Sequence, residues 1–215
     1  MLSGYELGEV LCEGPATVLY KGVAKDTKER KLILLPVSAF SSVMKEYHFC
    51  SKLSIDSPYF LRPLSMVEEG GESVALLFDD PDLLTLYQYI HSREITNLEF
   101  LHIAKQLTQA LGDLHQQFGI IHRDISPANI LIHPNTKNIY IRNFEYSTYW
   151  KEHEQNALPG QTGSPSCGTF QYMSPEHTGE VSIEIDFRSD LYSLGILFYE
   201  MLTGATPLKG IRSHS

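Results

Sequence analysis

His122-Arg123-Asp124-Ile125-Ser126-Pro127-Ala128-Asn129 brings together side chains of the kinds that do chemistry. Asp124 carries a carboxylate able to take a proton. Asn129 carries a neutral oxygen that a hard dication accepts as a ligand. Asn129 can equally brace the loop by hydrogen bonds, and both readings stand open for it. Three further runs follow in order: Asn143-Phe144-Glu145, Ser174-Pro175-Glu176 and Arg188-Ser189-Asp190.

The elements around the octad are legible from periodicity. Upstream, Thr96-Asn97-Leu98-Glu99 reads as a capping box, a hydroxyl followed three residues later by a carboxylate that reaches back. Behind it Leu101, Ala104, Leu107, Thr108, Leu111 and Leu114 recur at helical spacing, which predicts a long helix buried along one face. Downstream, Ile130-Leu131-Ile132 and Ile139-Tyr140-Ile141 flank Pro134-Asn135-Thr136, a small hairpin. Asp190 to Thr203 is an apolar helix stopped by Gly204 and Pro207. Nearer the N-terminus the apolar runs are short and strand-like, at Val18-Leu19-Tyr20 and Leu32-Ile33-Leu34-Leu35. Ser42 to Leu53 has helical spacing, and Gly70-Gly71 marks a turn between two more strands. The plan is α+β in two lobes: residues 1–80 β-rich with one helix, residues 81–215 mainly helical. The acidic run Asp79-Asp80-Pro81-Asp82 reads as a solvated connector, and the lobe boundary is a natural place for a ligand cleft.

The chain has 215 residues, 42% hydrophobic and 20% charged, and a formal net charge of −9. That excess of negative charge argues against a nucleic-acid partner. Cys12, Cys50 and Cys167 have neither zinc-ligand nor disulfide spacing and read as free thiols. No secretory signal is expected from the opening residues, and the most apolar run, Leu191 to Leu202, is too short to span a bilayer. The expected setting is the cytosol, without membrane insertion.

The octad, Ser174-Pro175-Glu176 and Asp190-Leu191-Tyr192-Ser193-Leu194-Gly195, in this order, resemble the catalytic loop, activation-segment end and central helix of protein kinases. More narrowly, Gly168 to Gly179 and Asp186 to Gly195 are similar to the kinase-like domain at the N-terminus of hybrid histidine kinases. Thr17 to Gly22 and Ile125 to Asn129 fit the same subfamily. The resemblance implies a two-lobed kinase fold, with Asp124 as proton acceptor and Ser126 beside the transferred phosphate, where serine/threonine kinases carry a lysine. It implies that Gly8, Gly14, Leu19, Lys21, Glu46, Phe78 and Asp79 would border ATP. Asn129, Asn143 and Glu145 would stand where magnesium is held. His122 is expected to pack as a structural histidine beneath Phe144. Thr162, Ser164, Ser166 and Thr169 are candidate phosphate acceptors for Arg123, and Thr169 aligns with the residue that shapes the substrate-peptide site.

The departures from the kinase pattern decide the functional reading. Asn143-Phe144-Glu145 replaces Asp-Phe-Gly, so a neutral oxygen stands where a full negative charge faces magnesium. Aligning Leu32 to Leu35 with Val-Ala-Ile-Lys puts Leu35 at the phosphate-binding lysine and leaves Glu46 without a partner; Lys21, or Lys31 after a register change, could substitute. The glycine loop Gly8 to Ala16 keeps few glycines, includes Pro15 without an N–H, and adds Glu9 and Glu13. The chain also stops soon after the Asp190 helix, so the second lobe is expected to be truncated there, with no arginine for Glu176. The expectation is a pseudokinase that acts through surfaces, in signalling linked to a histidine-kinase phosphorelay, with ATP and Mg2+ binding weak or absent. Asp124 is then an inherited remnant, and a protein partner or the rest of a larger signalling protein completes the module. The alternatives are an active serine/threonine kinase with non-standard metal and lysine residues, and a non-functional fragment.

Overall fold

A computed structural model describes residues 2–37, 40–150, 169–181 and 184–207. Thr162, Ser164, Ser166 and Cys167 lie outside the described residues. The chain forms two compact units, Met1–Thr85 with Leu131–Glu145, and Leu86–Ile130 with Tyr146–Ser215.

The first unit opens with β1 (Tyr5–Glu13), β2 (Thr17–Ala24) and β3 (Arg30–Pro36), followed by helix α1 (Phe40–Asp56), β4 (Pro63–Glu69) and β5 (Glu72–Asp79). The strands form an antiparallel sheet in the order β1-β2-β3-β5-β4. Gly70 and Gly71 turn β4 into β5 at φ +63° and +84°, values that favour glycine.

Register assigns the two faces of this sheet, because directly opposed residues of an antiparallel pair point the same way. Leu19 faces Leu34, which faces Leu76; Lys21 faces Leu32, which faces Phe78. The intervening residues Val18, Tyr20, Ile33, Leu35 and Leu77 occupy the other face. There Leu2, Ile33, Ala75 and Leu77 form a buried cluster, with Tyr5, Tyr20, Leu35 and Val67 packed against it. No residue of α1 belongs to that cluster. Helix α1 packs on β3 and β5 from the opposite side, turning Val43, Glu46, Phe49, Cys50 and Leu53 inward.

Next, β6 (Leu84–Thr85) leads into α2 (Leu86–Ser92) and α3 (Asn97–Gly112) of the second unit. The capping box is present in full: Thr96 Oγ1 accepts from Glu99 N–H, and Glu99 accepts from Thr96 N–H at 3.1 Å. The buried stripe of α3 runs through Ile103, Leu107, Ala110 and Leu111. Leu101 and Thr108, expected inside, are exposed. Leu101 precedes Ile103 by two positions, about 200° around the helix, which puts it on the far side. The helix ends in a wider π turn, Asp113–Gln117, closed by Phe118 N–H on Asp113 O at 3.2 Å.

After β7 (Ile120–Ile121), strands β8 (Ile130–Ile132) and β9 (Ile139–Ile141) continue a three-stranded sheet in the order β6-β8-β9. The expected hairpin is closed by His133 N–H on Asn138 O at 2.9 Å. Strand β10 (Thr148–Tyr149) pairs with β7. Helix α4 (Pro175–Thr178) and helix α5 (Phe187–Thr203) complete the second unit. Asp186 caps α5 by accepting from Arg188 N–H, and Gly204 ends it. Tyr172 O–H donates to the buried Glu200 of α5 at 2.5 Å.

Candidate functional site

In the first unit, Glu46 is the centre of the arrangement. Its place on the inward side of α1 buries the carboxylate, with the residue only 3% exposed. Oε1 accepts the backbone N–H of Asn143 at 2.8 Å, and Oε2 accepts that of Phe144 at 2.6 Å. The sequence left Glu46 without a partner; it is held instead by two consecutive amides. Asn143 sits at φ +67°, a left-handed conformation that asparagine tolerates better than most residues. The neighbouring Lys45 ammonium donates to the Glu145 carbonyl. Phe144 is buried, with ring centroids 5.3 Å from Phe49 and 6.0 Å from Phe60. Cys50, one turn after Glu46, donates its S–H to Oε1 at 3.8 Å. Burial, with the Glu46 charge beside it, pushes that thiol up and keeps it protonated.

The strand position on the side of α1 is Leu34, not Leu35. Leu34 is 1% exposed, whereas Leu35 packs on the opposite face. A shift of one residue along a strand exchanges the faces, which is why an alignment by apolar run alone chose the wrong neighbour. Neither position carries a cation.

The two candidate substitutes are engaged elsewhere. The Lys21 ammonium lies 3.4 Å from Glu9 and 3.8 Å from Asp82. Lys31 pairs with Glu29 at 3.0 Å and with Asp79 at 2.9 Å, so the Asp79 side chain is turned to β3. The acidic run is also more ordered than a solvated connector: Asp80 is buried, accepts the N–H groups of Asp82 and Leu83, both at 2.9 Å, and pairs with Arg30 at 3.0 Å.

The glycine positions have structural roles of their own. A Cβ on Gly8 would stand 2.8 Å from the Lys21 carbonyl oxygen, so the close approach of β1 to β2 demands glycine there. Gly14 N–H donates to Thr17 O at 2.9 Å and closes the turn between those strands. Leu19 and Phe78 are 1% and 2% exposed and present almost no surface to a ligand.

In the second unit, the octad is built on Asp190. This fully buried carboxylate on α5 accepts His122 N–H and Arg123 N–H, each at 2.8 Å, and the His115 ring N–H at 2.8 Å. Burial alone would raise the Asp190 carboxyl, but the His115 hydrogen bond and charge outweigh it and hold it low. His122 is completely buried and has a structural place, its carbonyl accepting from Ser147 Oγ at 3.1 Å.

Asp124 is enclosed by its neighbours. Thr169 donates both its N–H, at 2.7 Å, and its hydroxyl, at 2.9 Å, to Oδ1. Asn129 donates from Nδ2 to Oδ2 at 2.6 Å and to the Asp124 carbonyl at 2.9 Å. Asn129 thus braces the loop. Ser126 is buried, with its hydroxyl 3.4 Å from that of Thr169. Burial pushes the Asp124 carboxyl up, and the nearby His122, Thr169 and Asn129 offset only part of that rise. Glu176, for which no arginine was expected, accepts from Ser189 Oγ at 2.6 Å.

The proposed metal residues are divided between the units: Asn143 and Glu145 belong to the first, Asn129 to the second. Among the described residues, no group of three or more His, Cys, Asp or Glu side chains could hold a metal ion. Nor is any helix there long and apolar enough to cross a membrane. The capture of two amides by Glu46 has no sequence signature. The role of Leu34 has one, since it shares alternation with the buried Leu32.

The protein kinase domain family matches the chain over residues 5–215. The chain belongs to that family. This kinase domain is 29% identical to a probable serine/threonine-protein kinase of Streptomyces coelicolor, over 96% of the chain and 31% of the relative. It is 38% identical to the serine/threonine-protein kinase PknB of Mycolicibacterium smegmatis, over 66% of the chain and 22% of the relative. It is 32% identical to the serine/threonine-protein kinase pkn3 of Myxococcus xanthus, over 84% of the chain and 32% of the relative. The chain therefore spans about a third or less of the length of these curated relatives.

Proposed function

We propose that this kinase domain is a pseudokinase, a regulatory or binding module that works by conformation and surface. The observation that carries the reading is the exchange of partners at Glu46. Leu34 stands where the strand would supply a cation, and the Glu46 carboxylate holds the amides of Asn143 and Phe144. Phosphoryl transfer depends on positioning and on charges that steady the migrating group. Removing one such contact costs about 3 kcal/mol of barrier, and removing two or three lowers turnover by several orders of magnitude. The residues of the first unit do not fit ATP and magnesium: Leu19 and Phe78 are buried, Gly14 N–H is engaged by Thr17, Lys21 and Lys31 are paired with carboxylates, and Asn143 is neutral.

The serine/threonine-kinase relatives and the Asp124–Asn129–Thr169 arrangement favour the rival reading, an active kinase. The resemblance of Gly168 to Gly179 and Asp186 to Gly195 to hybrid histidine kinases supports a place beside a phosphorelay, with a protein partner or a larger signalling chain.

Two measurements decide. ATP added with and without Mg2+ is expected to leave the melting temperature unchanged, since a ligand that binds the folded state raises it. Labelled phosphate from ATP is expected not to enter added protein. Incorporation that disappears in Asp124→Ala would establish the active kinase and overturn the pseudokinase.

A further inference from the structure

We infer that Glu46 is a permanent clamp that fastens α1 to the segment Asn143–Glu145, so that the first unit keeps one arrangement whether or not a nucleotide is present. The inference goes beyond the loss of catalysis, because a chain could lack turnover and still leave this helix free to swing.

Three hydrogen bonds make the clamp. The two oxygens of Glu46 take the N–H groups of Asn143 and Phe144, and Lys45, the residue before it, donates to the carbonyl of Glu145. Adjacent residues on one helix therefore grip three consecutive residues of the segment. The ring of Phe49, about one turn further along α1, and that of Phe60, beyond the helix, lie near Phe144 and add apolar contact. A buried carboxylate bound to two amides is costly to release, since breaking the pair strands both the charge and the donors away from water. The competing partner that would pull Glu46 away is a cation on its own side of the sheet. That position is the fully buried Leu34. Asn143 contributes as well: at φ +67° its N–H and the next can point together at one carboxylate, a local geometry that few other side chains accept.

Amide hydrogen exchange of the full chain tests the clamp residue by residue. In the wild type, the Asn143 and Phe144 amides are expected to exchange as slowly as the core amides of β3, and equally slowly with ATP and Mg2+. In Glu46→Gln, which keeps the shape but removes the charge and one acceptor, both should exchange about tenfold faster or more, while the His122 and Arg123 amides held by Asp190 stay slow. Leu34→Lys places an ammonium on the α1 side and should release the same two amides; Leu35→Lys, on the opposite face, should not. Fast exchange of Asn143 and Phe144 in the wild type, protection that persists in folded Glu46→Gln, or loosening on addition of ATP would each overturn the clamp. Should Glu46→Gln fail to fold, the wild-type rates with and without ATP decide alone. Slow exchange unchanged by ATP, in a chain that transfers phosphate and loses the transfer in Asp124→Ala, would sink the pseudokinase reading and leave the clamp standing, so the two ideas fail separately.

Discussion

Asp190 holds the backbone N–H of Arg123 at 2.8 Å, and Arg123 sits at φ +67°. The carboxylate stabilises a conformation that a long side chain rarely adopts. Glu46 does the same for Asn143 in the other unit, where the buried Asp80 also accepts the N–H of Asp82, a residue at φ +76°.

Asp190→Asn puts an NH2 group against the N–H of Arg123 or of His122. The expected loss is about 3 kcal/mol or more, read as a shift of the urea midpoint. Its pH dependence has a definite sign. The folded carboxyl is held below the ordinary range, so its contribution is complete above the unfolded value and is lost as pH falls. The gap between wild type and Asp190→Asn should shrink in acid.

Leu34→Ala and Leu35→Ala separate the two faces of the sheet. Leu34 is fully buried, and its truncation should cost about 2–5 kcal/mol by urea unfolding. Leu35 is only partly buried and should cost less. Equal losses would contradict the assignment of faces.

Asp124 titrates in the opposite sense to Asp190. Burial raises the folded carboxyl above its ordinary value, so its contribution is complete below the unfolded pKa and is lost as pH rises through the folded one. Unfolding measured between about pH 4 and pH 7 should show the wild type losing stability relative to Asp124→Asn as pH rises.

Glu99, a half-buried residue, gives a test of the capping box. Thr96 N–H, with the Tyr89 and Thr96 hydroxyls and Arg93, holds its carboxyl down to about 2. Glu99→Ala should cost about 1 kcal/mol at neutral pH. Because the folded pKa is depressed, the difference should fade as pH falls from the ordinary carboxylate range toward that value, followed by thermal melts.

Much of the fold was legible because its signals are local. Thr96 and Glu99 announced α3, Gly70-Gly71 announced a hairpin, and the octad with Asp190 announced the family. The partners at the site were less so. Glu46 and Asn143 are far apart in the chain, and the bond between them uses a backbone N–H, which every residue but proline possesses. Leu34 and Leu35 are the same residue type, so only the register of β3 against β2 and β5 tells them apart. Thr169 was placed near the substrate site by alignment, but its double grip on Asp124 follows from packing that sequence spacing does not encode.

The widened turn Asp113–Gln117 places His115 against Asp190. Deleting one residue ahead of His115 would tighten the stretch to regular winding and carry the imidazole part of a turn away from its place. The imidazole would swing off its carboxylate, while an alanine at position 115 would keep the winding and lose only the bond. A deletion should therefore do more harm than the substitution, making the length of this stretch, as much as its composition, something the molecule must preserve.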